Sequence, residues 1–142
     1  MAYTKNSLKN EWILSENGIT DDSILWAQDF GEYLAVKSAT HGKLSTSQLR
    51  RFFGQLKRIK AEGFDEKNLT KILMLKAQLA YANGRDIKFN FQTKSNDNQT
   101  KIGDFCSELS KAIGIVKEKT HFKNFVNLVE AVVAYHKSKG GE

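Results

Sequence analysis

Of the residue types that do chemistry in proteins, this 142-residue chain offers three histidines, His41, His121 and His136, one cysteine, Cys106, and sixteen carboxylates. A helical zinc site needs two ligands one turn apart, as in H-E-x-x-H, or a C-x-x-C pair, and neither string occurs. His41 falls in a turn, His121 at a helix start and His136 on an apolar helix face, where a hydrogen-bonded residue at the core edge is expected instead of a ligand. Cys106 sits in an apolar stripe and reads as a small core residue, not a nucleophile. As the single cysteine it forms no internal disulfide, which fits a reducing cytosol. There is no Walker loop, no G-x-G-x-x-G and no G-x-S-x-G, and the acids do not cluster as a two-metal nuclease requires. The expectation is a non-enzyme with no catalytic residues, no metal and no cofactor.

The sharper pattern is basic. Formal charge is +6, unevenly spread: residues 1–44 carry 4 Lys/Arg against 6 Asp/Glu, residues 45–100 carry 11 against 5, and residues 101–142 carry 7 against 5. Stepping 100° per residue along 45–63, Leu49, Phe52, Phe53, Leu56 and Ile59 share one side. The far side holds Arg50, Arg51, Gly54, Arg58 and Ala61, with Lys57 on its flank and no acid among them. Guanidinium groups match phosphate oxygens bidentately, and the small residues between them let a polyanion backbone approach. A second face, Lys67, Lys71, Met74, Gln78 and Tyr81 with Arg85 beyond, offers cations beside exposed Met and Tyr: a stacking surface, a protein interface or a solvated mixture. Lys76 falls instead near the apolar stripe, where its stem can pack.

Five helical stretches would position these residues. The first runs from about Asp21 to Ser38, with Thr20 or Asp21 as N-cap and Ala27, Phe30 and Leu34 inward. The second starts at Ser45, where Gln48 completes a capping box, and stops at Gly63. The third runs from Asp65 to Asn83 with Gly84 as its stop and a wide apolar face that includes Leu69, Ile72, Leu73, Leu75, Leu79 and Ala80. The fourth spans about Ile102 to Lys119, and the fifth Thr120 to Lys137. Phe52, Phe125 and Val129 sit at stripe centres and should be deeply buried. Ile87, Phe89 and Phe91 alternate as in a strand, but one short strand without a partner run is no sheet, and Gln92–Thr100 reads as a polar, mobile loop.

The fold expected is therefore all-α: a single five-helix bundle at 21–138, with a short polar loop between the third and fourth helices. An N-terminal extension, 1–20, is expected to be partly ordered, and 139–142 to be a tail. At 40% hydrophobic and 27% charged residues the chain lies in the globular range. Neither a signal peptide nor a run of 18 apolar residues is visible, so a cytoplasmic protein without membrane contact is expected.

The strings LRRFFGQLKRI (Leu49–Ile59), LMLKAQLAYANGR (Leu73–Arg85) and FKNFVNLVEAVVAYHK (Phe122–Lys137) resemble the small subunit (Csm2 family) of type III-A CRISPR (Csm) effector complexes. Leu75–Arg85 is the most specific string, and the likeness spans roughly residues 45–137. The resemblance implies a non-catalytic helical ribonucleoprotein subunit for antiviral defence. Copies of it would stack as a filament among the other subunits and touch the backbone of target RNA paired with guide RNA. It places Lys76, Arg85 and Lys137 on the RNA; Arg50, Arg51, Lys57 and Arg58 join them from the helical wheel. A basic helical adaptor that meets acidic proteins without touching RNA is the alternative.

Overall fold

The computed structural model describes residues 3–140, so Gly141 and Glu142 of the expected tail lie outside the described residues. It contains six helices, not five, and a two-stranded sheet: α1 (Asn10–Leu14), α2 (Asp21–Ala35), α3 (Thr46–Glu62), α4 (Glu66–Arg85), β1 (Ile87–Asn90), β2 (Ser95–Asn98), α5 (Ile102–Gly114) and α6 (Lys119–Ser138). The chain is mostly helical, as expected.

Helix starts follow local side-chain chemistry. Thr20 and Ser23 form a reciprocal capping box at α2, Ser45 and Gln48 another at α3, and the Asp65 carboxylate accepts from the Asn68 N–H at α4. Two ends differ from expectation. The helix expected to reach Lys119 stops at Gly114, where Ile115 caps it, and the chain restarts at Lys119. Helix α4 continues through Gly84, because glycine tolerates helical angles as well as left-handed ones. What ends it is Asp86, whose carboxylate is drawn away to the Thr100 N–H and hydroxyl at 2.7 and 2.9 Å.

One core unites the helices. Phe52, Phe125 and Val129 are buried in it as their stripes require. The most extensive packing is between α2 and α6, with α3 and α1 also against α6 and α4 against α5. The α2–α6 approach depends on Gly31: a Cβ there would lie 2.6 Å from the Val132 carbonyl oxygen and 2.9 Å from the His136 nitrogen. Both are backbone atoms, so nothing flexible can yield. Gly31→Ala should therefore destabilise the fold by about 1–3 kcal/mol, the usual cost of overpacking, in urea unfolding. An unchanged midpoint would mean that α2 and α6 pack more loosely than this.

The N-terminal residues complete that core. Leu8, Trp12 and Ile13 are buried, and Tyr3 packs against Phe30. Polar groups pin the segment in place: Trp26 Nε1 donates to Ser7 Oγ (2.8 Å), Lys111 Nζ to the Leu8 carbonyl (2.6 Å), and the buried Asn124 amide to the carbonyls of Ile13 and Ser15.

The expected polar loop is a hairpin. β1 pairs antiparallel with β2 in the register Ile87↔Asn98, Lys88↔Asp97, Phe89↔Asn96 and Asn90↔Ser95. The partner strand, Ser-Asn-Asp-Asn, has no apolar alternation because it is exposed on both faces. Two strands alone are marginal in water. Here the base is stapled: Asn98 Nδ2 donates to Asn83 Oδ1 (2.7 Å), and Gly42 bridges to Gln99 and Lys101 through backbone hydrogen bonds.

Candidate nucleic-acid interface

α3 and α4 follow one another in the chain and stand apart at their outer edges, leaving a long open groove. Arg51, Gln55 and Arg58 line it from α3. Lys71, Gln78, Tyr81 and Arg85 line it from α4. Its wider part encloses about 600 Å³ over a floor of Phe52, Leu79, Ile102 and Phe105. A narrower part of about 300 Å³ lies toward Lys71. Gln55 and Gln78 line both parts, so uncharged amides occupy the middle and cations both ends.

Helical geometry accounts for the lining. Arg51 and Arg58 are seven residues apart, about 20° apart in azimuth and about 10 Å along the axis. Lys71, Met74, Gln78, Tyr81 and Arg85 recur at three- and four-residue intervals and share one α4 face. The buried apolar residues of α4 are Ile72, Leu75 and Leu79, a narrow stripe, whereas Leu73 and Met74 are about half exposed. The wide apolar face expected for this helix is thus corrected to a narrow one. Helix α5 covers that stripe, and the rest of the helix stays available to the groove.

The structure divides the seven residues singled out in the sequence. Arg51, Arg58 and Arg85 come together in the groove. Arg50 and Lys57 are exposed but lie about 100° around α3, outside the groove, with Lys57 Nζ 5.4 Å from the centre of the Phe53 ring. Lys76 is on the opposite side of α4 from Arg85; its Nζ would be 3.9 Å from a Cβ on Gly114, beside the C-terminal end of α5, where a cation meets unpaired carbonyls. Lys137 is exposed in the last turn of α6.

Lys71, Gln78 and Tyr81 are groove residues outside those seven. Their three- and four-residue spacing marks the face but not the neighbour it looks onto. The Tyr81 ring lies under the Arg85 guanidinium, 5.7 Å from centroid to Cζ, and is 69% exposed. Of the nearby acids, Asp86 accepts from the Thr100 hydroxyl, and Glu62, beyond the groove at the far end of α3, forms an ion pair with Lys71.

The other reactive side chains are separately occupied. The His41 ring shares a hydrogen bond with Thr40 (2.8 Å), and His121 Nδ1 accepts from the Lys117 N–H (3.1 Å). His136 is buried with Nε2 2.6 Å from the Leu44 carbonyl, so that nitrogen carries a proton and donates. Burial holds the His136 pKa below its ordinary value; the Leu44 bond opposes this and Lys43 reinforces it. A depressed folded-state value means that the unfolded chain takes up the proton first. Stability from this group is thus complete above about pH 6.5 and lost as pH falls through the folded-state pKa. His136→Gln should flatten the decline in stability between pH 7 and pH 5, read from urea midpoints; an unaltered slope would assign it to other groups. The Cys106 thiol is pushed up by burial and sits 3.8 Å from Ser110 Oγ, the environment of an inert core thiol.

Among the described residues no group of three or more His, Cys, Asp or Glu is placed to share a metal ion, and no helix is long and apolar enough to cross a membrane. Fold and groove together define a small helical protein whose most distinctive surface is an elongated cationic cleft. The family model described as Csm2 Type III-A matches residues 23–142, and the chain belongs to that family. It is thereby a small subunit of the type III-A CRISPR effector, the Csm complex. No curated protein and no solved structure gives a match.

Proposed function

We propose that the chain is a non-catalytic subunit that stacks as a filament within the Csm complex and holds the backbone of the target RNA–guide RNA duplex in the α3–α4 groove. The observation that carries this reading is the pairing of Arg51 and Arg58 on one wall with Arg85 on the other, around neutral amides. Donors so arranged suit a chain of phosphates recognised by shape, with no base edge to be read. Arg50 and Lys57 on the flank, Lys76 and Lys137 then serve neighbouring phosphates, other subunits or helix ends. The adaptor alternative draws on the exposed Leu25, Leu73 and Met74. A filament subunit needs such protein contacts as well.

Photo-crosslinking tests the reading directly. Target RNA carrying 4-thiouridine at successive positions, bound to the assembled complex, should yield crosslinked peptides from residues 51–58 and 78–85. Crosslinks confined to other faces of the subunit would overturn it in favour of the adaptor.

A further inference from the structure

The β1–β2 hairpin carries apolar surface that no other element covers. Ile87, Phe89 and Phe91 alternate along β1 and into its turn, at 39%, 46% and 84% exposure. Phe89 and Phe91 meet edge to face with centroids 4.8 Å apart. Each ring thus braces the other while most of Phe91 stays in water. The hairpin is also fixed at its root, through Asn98 to Asn83 and through Asp86 to Thr100. Exposed aromatic pairs on rigid supports mark contact sites, since their burial on a partner is favourable and little ordering is required.

Charge selects the partner. Lys88 and Lys94 lie on the hairpin and Arg85 two residues before it, and none of the three makes an ion pair among the described residues. Two acids lie nearby: Asp86, which accepts from Thr100, and Asp97, which accepts from the Asn90 amide at 2.9 Å and stands opposite Lys88 in the register; the three cations outnumber them. Aromatic side chains interleaved with a surplus of cations form the surface that binds single-stranded nucleic acid, where bases stack and phosphates pair. An apolar pocket on a protein would receive the phenylalanines but leave the cations without counterparts.

We propose that this hairpin is a stacking finger: Phe91, braced by Phe89, takes an unpaired base of the RNA, while Lys88 and Lys94 hold the flanking phosphates. The proposal rests on the RNA-contact reading above and adds a base contact to its backbone contacts. The test uses the assembled complex with RNA carrying 5-iodouridine, which crosslinks to aromatic rings stacked on it. A crosslink should map to the peptide containing Phe91 and vanish in Phe91→Leu, which keeps the apolar bulk but has no π-face. The same variant should weaken RNA affinity by about 5- to 150-fold, the range of one base–aromatic stack, with an unchanged salt slope because no charge is removed. No crosslink at the hairpin would overturn the proposal. So would a Phe91→Leu subunit that binds RNA normally but enters the complex poorly, since the hairpin would then dock on protein. The 4-thiouridine crosslinks of the α3–α4 groove are read in parallel: their presence without a hairpin crosslink rejects the finger alone, and their absence rejects the groove.

Discussion

Replacing Phe125 by alanine should cost the fold about 3–5 kcal/mol, the sum of lost transfer energy and the cavity left behind. Phe125 is fully buried on α6, the helix against which α1, α2 and α3 all pack, so several elements would have to move to refill the space. Against a typical domain stability of about 5–15 kcal/mol, that is a large fraction. Urea unfolding should show the transition shifted well toward lower denaturant. A loss below about 1 kcal/mol would mean that α6 does not organise the core.

The second large effect concerns RNA. Arg51→Ala with Arg58→Ala removes one wall's charges from the groove at positions that contribute little to packing. Stability should change by less than about 0.5 kcal/mol per site, as at other exposed helix positions. Affinity of the assembled complex for target RNA should nevertheless fall severalfold, and by the same factor for unrelated guide–target pairs, since backbone contacts carry no sequence information. Every copy in a filament repeats the change, so the deficit should exceed that of one altered subunit. A loss for some sequences and not others would require base readout by these arginines.

How much of this was legible in the residues varies by element. Capping chemistry is local, so Ser45 with Gln48, Thr20 and Asp65 fix the starts of α2, α3 and α4. The fifth stripe is periodic enough to bury Phe125 and Val129 as read, and the fourth buries Phe105 and Leu109 at the same spacing. Strand β2 was not legible because a strand exposed on both faces has no period-2 signal, and its stability comes from Asp86, Asn83 and Gly42, remote in sequence. Nor was the narrow stripe of α4, since which leucines face α5 depends on where α5 lies.

For the candidate site, the helical wheel found the charged side of α3 but treated it as one face. Only the position of α4 separates Arg51 and Arg58 from Arg50 and Lys57, and only tertiary packing brings Arg85 opposite them. Lys101 shows the reverse case. It reads as one more surface lysine, yet it is buried, its ammonium donating to the Tyr33 and Val36 carbonyls at the end of α2 and lying 3.8 Å from the centre of the Tyr33 ring.

The central claim, that the α3–α4 groove holds an RNA backbone, is tested most directly by the salt dependence of target binding. Affinity of the assembled complex should be measured across a range of salt with the native subunit and with the Arg51→Ala, Arg58→Ala subunit at equal incorporation. For every phosphate that the variant no longer neutralises, the slope of log K against log salt should become shallower by roughly 0.7–0.9. A double variant whose binding matches the native complex at every salt concentration, with the same slope, would contradict the account and give this face to a protein partner.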